Sequence, residues 1–301
     1  MIVGIDIGGT STKLGVVQGD RVVARARITT ARGGTPVAFA DALAAAVRDL
    51  AGDVRGIGIG APNGNQLTGV IERAPNLPWP GDFPLAAMLS DRLDVPCTLG
   101  NDANAAALGE WRYGAGRGLT DLMVVTLGTG LGSGIIVDGR LLLGPFGNAG
   151  ELGHMTLVMD GRPCTCGRKG CLEAYVSIRG MRRTYSELLS NNGEEPLEDR
   201  DGVLPIAAAA MNGQASAVQT FMHTARWLGV GLANAVAVTA PQKVILFGGI
   251  ARNGDLLMEP LQEWFQRSLL NIYRDRVRLG TSELPEDDAG ILGAAALGTV
   301  P

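Results

Sequence analysis

The sequence has no strongly basic tract and no long apolar run. Of its 301 residues, 26 are Lys or Arg and 30 are Asp or Glu, which gives a net charge of -4 at pH 7. Proteins that bind nucleic acids usually carry a basic patch, so we expect no nucleic-acid partner. No apolar stretch is long enough to cross a bilayer, and the first residues lack the basic start of a signal peptide. We therefore expect no membrane partner.

Two common nucleotide-binding motifs are also missing. The P-loop pattern G-x-x-x-x-G-K-[ST] does not occur. The glycine-rich segment 128–134 fails the pattern G-x-G-x-x-G, because Ser133 stands where the last glycine should be. A β-branched strand is predicted after this segment, whereas the dinucleotide motif requires a helix there. These absences exclude a P-loop enzyme and argue against a dinucleotide-binding unit.

Cysteine is scarce, but three of the four cysteines are close together. Cys164, Cys166 and Cys171 fall within eight residues, and His154 precedes them. Thiolates and imidazole are preferred zinc ligands, and four of them complete a tetrahedron. The cluster therefore predicts a structural zinc site, with a metal-free group of reduced thiols as the alternative. Cys-x-Cys is too tight for an easy disulfide. Cys97 is interpreted as a packing residue, and this use of cysteine is typical of a reducing cytoplasm.

A strand–turn–strand pattern occurs twice in the chain. Residues 2–17 predict an apolar strand, a glycine turn and a returning strand, and residues 122–137 repeat the pattern. Gly8 and Gly128 correspond at an offset of 120 residues. We interpret this as a duplication, with one such unit in each half of the chain and a cleft between the halves.

The remaining segments alternate between strand and helix, which is typical of an α/β protein. The long apolar helix is expected to be buried, with His223 as a core or interface residue, and the acidic segment 191–202 is expected to be an exposed loop. Helices are predicted at 36–50, from 102 onward, at 218–238 and at 290–297, and strands at 56–60, 97–99 and 243–247.

Glycine turns that follow strands can hold phosphate with their backbone N–H groups. Each turn alone could be an ordinary tight turn, but two matched turns together with Gly248 and Gly249 favour phosphate binding. A carboxylate at Asp6 would be unfavourable beside phosphate unless Mg²⁺ lay between them, so Asp6 is predicted on the metal side. Lys13 is either a phosphate contact or a solvated charge.

These residues together resemble the ROK family of sugar kinases, in the superfamily that contains hexokinase and actin. The resemblance covers almost the whole chain. Within the family the chain is most similar to the zinc-containing bacterial glucokinases. The matching motifs are Asp6 with its glycine turn, Asn101 with Asp102, the Thr129 loop, Glu151 with His154, and the cysteine motif that ends at Glu173.

The resemblance implies a duplicated ribonuclease-H-like fold of two α/β domains with a central cleft. The smaller domain is expected at residues 1–115, completed by the last helix at about 290–301. The larger domain, residues 116–289, is expected to hold the zinc site and an oligomer interface. The implied activity is ATP-dependent phosphorylation of a hexose, foremost glucose to glucose 6-phosphate, by a cytoplasmic homodimer or homotetramer in glycolysis.

The resemblance also assigns roles to single residues. Asp102 is the expected general base for the sugar 6-hydroxyl, although a helix cap is the alternative for this residue taken alone. The expected sugar-binding residues are Gly64, Asn65, Asn76, Asn101, Asp102, Glu151, His154 and Glu173. The expected ATP and Mg²⁺ residues are Asp6, Gly8, Gly9, Thr10, Thr12, Lys13, Gly128, Thr129, Gly130, Gly248 and Gly249. The expected zinc ligands are His154, Cys164, Cys166 and Cys171.

Other readings remain open at this point. The substrate could be N-acetylmannosamine, N-acetylglucosamine, mannose or allose, and polyphosphate could replace ATP as the donor. A sugar sensor without catalysis is a second class, which an intact Asp102 argues against. A DNA-binding repressor of the same family is a third class. Since the first predicted strand starts at residue 2, we expect no helix-turn-helix before it.

Overall fold

The computed structural model describes residues 1–30, 34–193 and 202–299. Its strands are β1 (Ile2–Ile7), β2 (Ser11–Gln18), β3 (Arg21–Thr29), β4 (Gly56–Ala61), β5 (Gly64–Asn65), β6 (Val70–Ile71), β7 (Cys97–Asn101), β8 (Leu122–Leu127), β9 (Leu131–Val137), β10 (Arg140–Leu141), β11 (Lys243–Phe247) and β12 (Arg278–Thr281). Its helices are α1 (Pro36–Leu50), α2 (Leu85–Leu93), α3 (Asp102–Tyr113), α4 (Glu173–Val176), α5 (Ile178–Asn192), α6 (Leu204–Met211), α7 (Ala215–Thr239), α8 (Asp255–Ser268) and α9 (Ala289–Leu297).

The chain divides into two compact units. The first consists of Met1–Thr120, Gly134–Gly150 and Ser282–Pro301, and the second of Asp121–Ser133 and Glu151–Thr281. The first unit thus takes in segments that were expected in the larger domain, namely residues 116–120, 134–150 and 282–289. Both units are assembled from pieces that are distant in the sequence.

The first unit is built on a mixed sheet in the order β3-β2-β1-β4-β7. β1, β2 and β3 are antiparallel neighbours, whereas β4 and β7 run parallel to β1. Alternate side chains of a strand point to opposite faces. One face therefore presents Val3, Ile5 and Ile7 to a core that includes Phe39 and Leu43 of α1. Cys97 is partly buried against this core, as expected for a packing residue.

The opposite face of this sheet carries glycines, which let the backbone of α9 lie directly on β1 and β4. A Cβ at Gly58 would overlap the carbonyl oxygen of Ala294 and lie 2.6 Å from the amide nitrogen of Gly298. The last predicted helix is thus confirmed, and its small residues explain how close it comes to the sheet.

The second unit has a sheet with the order β9-β8-β11-β12, in which β8, β11 and β12 are parallel. The end of β9 belongs to the first unit, where it pairs with β10. In both sheets a glycine hairpin is followed by two parallel strands, which is the order expected from a duplication. Helices α5 and α8 pack against α7, and Phe221 and Phe265 are fully buried between them.

The long helix α7 corrects one expectation. The apolar run at 218–238 does form a helix, but only part of its surface is buried, because α7 packs against its neighbours with one side. Val238 is 85% exposed, and the side chain of His223 is also exposed rather than in the core.

The acidic segment at 191–202 was expected to be a loop. The first two of its residues instead complete α5, and residues 194–201 lie outside the described part of the chain. Among the described residues, no helix combines the length and the apolar character that a membrane span requires.

Candidate functional site

In the first unit, the carboxyl ends of three parallel strands meet at one edge of the sheet. Asp6 of β1 is level with Gly60 of β4, and Ala61 of β4 is level with Asn101 of β7. Loops that follow such strand ends form the usual ligand site of an α/β sheet. The first glycine turn, the loop after β4 and the start of α3 therefore share this edge.

Asn101 and Asp102 occupy the junction between β7 and α3. Asn101 is the N-cap, and its Oδ1 accepts a hydrogen bond of 2.8 Å from the backbone N–H of Ala103. Oδ1 of Asp102 accepts from the same N–H at 2.8 Å. Such caps satisfy the free N–H groups of a first helical turn and hold both side chains at the sheet edge.

The carboxylate of Asp102 has an unusual environment. Solvent reaches the side chain, yet the surrounding protein displaces much of the water from the carboxylate. This desolvation raises the pKa of Asp102, although the hydrogen bonds from the amides of Ala103 and Asp102 act in the opposite direction. A raised pKa makes a carboxylate a stronger base.

Asp6 and Lys13 face each other across β1 and β2. Burial is the main cause that raises the pKa of Asp6 to about 6; the charge of Asp102 adds to the rise and the ammonium group of Lys13 opposes it. The Asp6 carboxylate lies against Gly290 in the first turn of α9. Two carboxylates and one ammonium group thus form a charged cluster at the sheet edge.

The predicted sugar loops have different environments. Asn65 is buried, and its amide group donates to Glu72 Oε1 at 2.8 Å and to the carbonyl of Phe146 at 2.9 Å. These hydrogen bonds hold the loop in its shape and engage the amide group that was expected to meet the sugar. Asn76 is exposed, and its carbonyl lies beside Gly9 of the first glycine turn.

Thr12 also has a structural environment. Its side chain is fully buried, and its hydroxyl lies 2.9 Å from that of Thr30. Thr30 in turn donates to the carbonyl of Gly8 at 2.7 Å. Thr12 therefore stabilises the first glycine turn from behind, whereas Thr10 is exposed on it. The sequence of a turn does not show whether a hydroxyl will be buried behind the turn, as at Thr12, or exposed on it, as at Thr10.

In the second unit, the second glycine turn connects β8 and β9. The N–H of Gly128 donates to the carbonyl of Gly130 at 3.0 Å, and the carbonyl of Gly128 accepts from the N–H of Ile178 at 2.9 Å. Gly248 and Gly249 follow β11, whose Phe247 is level with Thr126 of the parallel strand β8. The predicted donor-phosphate residues of this unit therefore lie at one sheet edge.

The predicted zinc ligands come together in the second unit. The ligand atoms of His154, Cys164, Cys166 and Cys171 all lie within 4.8 Å of one another. Sγ of Cys166 and Sγ of Cys171 are 3.7 Å apart, as are Sγ of Cys164 and Nδ1 of His154. Tetrahedral zinc with Zn–S bonds of about 2.3 Å places two sulfur atoms about 3.8 Å apart. The donor set and its spacing therefore fit zinc.

The thiol chemistry supports this fit. Burial, and then the neighbouring Cys166 and Cys164, raise the pKa of Cys171 to about 12. Although its own desolvation opposes them, hydrogen bonds from the Arg168 amide and from the other two thiols lower the pKa of Cys166 instead. With all three thiols ionised, the cluster would need a cation to balance its charge.

Glu151 and Glu173 flank this cluster. Oε2 of Glu151 lies 3.8 Å from Nε2 of His154, the ring nitrogen that points away from Cys164. Oε2 of Glu173 accepts a hydrogen bond of 2.9 Å from the N–H of Leu131, at the end of the second glycine turn. Sequence reasoning missed this last contact, because Leu131 is 42 residues from Glu173 and its partner is a backbone group.

Comparison with known proteins identifies the family. The model of the ROK family matches residues 2–299, and the chain belongs to this family. A glucokinase from Halalkalibacterium halodurans is 36% identical, over 98% of this chain and 94% of the relative. Both findings confirm the resemblance stated from the motifs.

Solved structures agree with the fold. A ROK family glucokinase from Streptomyces griseus, in complex with glucose and AMPPNP, matches with a TM-score of 0.81 and 35% identity, over 99% of this chain and 98% of that one. A ROK hexokinase from Thermus thermophilus matches with a TM-score of 0.86 and 34% identity, over 99% and 97%. The predicted α/β fold of two domains is confirmed.

Proposed function

We propose that this chain is an ATP-dependent glucokinase, which transfers a phosphoryl group from ATP to the 6-hydroxyl of glucose. The observation that carries this proposal is the similarity over the whole chain to glucokinases, including a structure that holds glucose and an ATP analogue. The first unit carries a basic carboxylate and a glycine turn at its sheet edge, the second unit carries another glycine turn at its own sheet edge, and each unit contains candidate hydroxyl-binding side chains.

Asp102 is the proposed general base. Its Oδ1 already accepts the Ala103 N–H, so Oδ2 takes the proton of the sugar 6-hydroxyl. As the O–P bond to the sugar forms, the bond between the γ-phosphorus and the bridging oxygen breaks and ADP leaves with that electron pair. The raised pKa of Asp102 increases the driving force for this proton transfer.

The other sugar hydroxyls are proposed to bind to side chains with fixed positions. Asn101 is held by its role as the N-cap of α3. His154 would bind zinc through Nδ1 and offer its Nε2–H to a hydroxyl, with Glu151 beside it. A ligand to a metal keeps one ring orientation and one tautomer, which favours a defined sugar geometry. Glu173, Asn76 and Gly64 complete the proposed set.

The glycine turns and Asp6 are proposed to serve the donor. Mg²⁺ bound with ATP neutralises charge on the phosphates. Asp6 stands where a carboxylate could face that ion, and backbone N–H groups of residues 8–10 and 128–130 could hold phosphate oxygens. Lys13, Thr10, Thr129, Gly248 and Gly249 remain proposed contacts. Thr12 and Asn65 are proposed to act only through the shape of their loops.

Zinc is proposed to be structural. Four protein ligands fill a tetrahedron and leave no position open for water or substrate. The same requirement for reduced thiols supports a cytoplasmic location, and the activity would belong to glycolysis. A homodimer or homotetramer is proposed by resemblance, and light scattering of the purified protein after size exclusion tests it.

The proposal is tested with purified protein and a panel of substrates. The panel contains glucose, mannose, allose, N-acetylmannosamine and N-acetylglucosamine, each with MgATP and, separately, with polyphosphate. We expect the highest kcat/KM with glucose and MgATP. A higher kcat/KM with an N-acetylated hexose would replace glucose as the substrate. Sugar binding without release of ADP would support the non-catalytic sensor instead.

A further inference from the structure

Glu173 lies between two features of the second unit that are distant in sequence. It follows the zinc ligand Cys171 by two residues and begins α4. Its Oε1 lies 3.9 Å from Sγ of Cys164 and 3.5 Å from Oγ1 of Thr165. Its Oε2 accepts the N–H of Leu131 at 2.9 Å. One carboxylate thus contacts both the cysteine cluster and the second glycine turn.

The second glycine turn depends on this region for its position. Gly130 has no side chain, and a Cβ there would lie 2.6 Å from Oε2 of Glu173. The turn is held a second time by the N–H of Ile178, which donates to the carbonyl of Gly128. The two hydrogen bonds hold the turn at both ends, and in each of them the partner of the turn is a residue of the segment 173–178.

The position of Glu173 is in turn set by the cluster. The N–H of Ala174 donates to the carbonyl of Cys171 at 3.0 Å, and the N–H of Leu172 donates to the carbonyl of Met155 at 2.9 Å. Residues beside the cysteine ligands therefore determine where α4 starts. Loss of order in the cluster would shift Glu173 and release the Leu131 N–H.

We propose that Glu173 is a positioning residue, which fixes the second glycine turn against the cysteine cluster and so couples zinc binding to nucleotide binding. This inference rests on the proposed function, in which that turn holds the phosphates of ATP. It gives Glu173 a second role besides sugar binding. A hydrogen bond to a charged acceptor is among the stronger ones, so its loss loosens the turn measurably.

The test compares three variants of the zinc-loaded, full-length protein in the absence of sugar. Binding of MgAMPPNP is measured by calorimetry, and hydrogen exchange of the Leu131 amide by mass spectrometry. Glu173→Ala should weaken nucleotide binding by about fivefold or more and speed the exchange. Glu173→Gln keeps an oxygen that can accept the Leu131 N–H, so it should recover most of both losses. Glu263→Gln is the matched control, since Glu263 pairs with Arg267 on the exposed side of α8 and belongs to no proposed binding site, and it should change neither quantity.

Zinc depletion tests whether the cysteine cluster affects the second glycine turn. Wild-type protein is treated with a chelator, returned to Mg²⁺ buffer and checked for metal content. The Leu131 amide should then exchange as fast as in Glu173→Ala, and MgAMPPNP binding should fall by a similar factor. Zinc content and melting temperature of each variant are measured first, to exclude misfolding.

Two results would overturn the proposal. If Glu173→Ala leaves nucleotide affinity and Leu131 exchange at wild-type values, Glu173 does not position the turn. If Leu131 stays protected after zinc removal, the cluster is not coupled to it. Phosphorylation of glucose by the wild type is assayed in parallel. If the wild type has no kinase activity, the proposed function is wrong. The exchange rate of the Leu131 amide would still show whether Glu173 holds the second glycine turn.

Discussion

Asp102 stands where a parallel strand ends and a helix begins, and this position gives its carboxylate two opposing influences. The first turn of α3 donates an N–H to Oδ1, which favours the ionised form. Desolvation outweighs this bond and raises the pKa. A base in this environment is stronger than an ordinary aspartate and keeps a fixed orientation, because the helix cap holds one oxygen.

Replacement of this base tests its proposed role. In Asp102→Asn the amide oxygen can still accept the Ala103 N–H, so the local structure and the sugar affinity should persist. The kcat should fall by about 100-fold or more, because no group remains to take the hydroxyl proton. Steady-state kinetics with glucose and calorimetry of glucose binding measure both quantities. Near-normal turnover would mean that another group is the base.

Asp6 makes a pH-dependent contribution to stability. Since its folded-state pKa is raised from 3.8 to about 6, the folded protein binds more protons than the unfolded chain between these values. The contribution of Asp6 to the unfolding free energy is therefore greatest below pH 3.8 and is lost as the pH rises through about 6. Asp6→Asn should be more stable than the wild type at pH 7.5, by about 1–3 kcal/mol, and lose this advantage near pH 4.

Urea unfolding at the two pH values measures this difference. Asp49→Asn, a change at an exposed aspartate on α1, is the matched control and should shift little between them. An equal effect of Asp6→Asn at both pH values would contradict the expectation. Activity should fall at the same time if Asp6 faces the magnesium ion, so stability and function would change in opposite directions.

Single residues also show how far the sequence could predict the site. The cysteine cluster was predictable because zinc ligands must be close in space and three of these four are also close in sequence. A helix cap at this junction was predictable because polar residues stood at the start of a helix. A cap was the alternative role for Asp102, whereas in the structure Asn101 is the N-cap and Asp102 accepts the same N–H. The burial of Thr12 was not, since its hydroxyl partner on Thr30 comes from the next strand.

Among the elements, helices and strands with strong patterns were predicted well. The helix at 36–50 was predicted with the bounds that α1 has, and in the structure Thr35 caps it and Pro36 begins it. The helix α5 was missed, since its first two turns carry several arginines and few apolar residues. The exposed side of α7 was also missed. The signal for that side was present, since Gln219, His223 and Arg226 recur at helical spacing and all lie on it.

The packing of α9 on β1 and β4 gives a prediction at this scale. Gly58→Ala would place a methyl group against the backbone of α9. Neither this helix nor strand β4 can move away without losing its own packing. The unfolding free energy should fall by about 2 kcal/mol or more, as for other overpacked cores. Gly52→Ala is the control, because a Cβ there meets nothing within 4 Å. Urea denaturation compares the two, and equal stabilities would refute this account of the packing.

For the whole molecule, the sequence predicted the duplication but not which chain segments belong to which of the two units. The offset between Gly8 and Gly128 led to two hairpins, and the two sheets do have matching strand orders. The assignment of Gly134–Gly150 to the first unit was not predictable, because the division falls within the single strand β9. No change in composition marks such a boundary. It is set by contacts such as that between Gly134 and Ala107, which only the fold brings together.

The position of α9 in the chain order has a consequence for synthesis. β1 and β4 are made early, whereas the helix that covers them, residues 289–297, follows every segment of the second unit. During translation the glycine-lined face of these strands stays uncovered while the second unit is already complete in sequence. The half of the protein that emerges first from the ribosome is therefore completed last, and until α9 is made its uncovered strands are a surface open to aggregation.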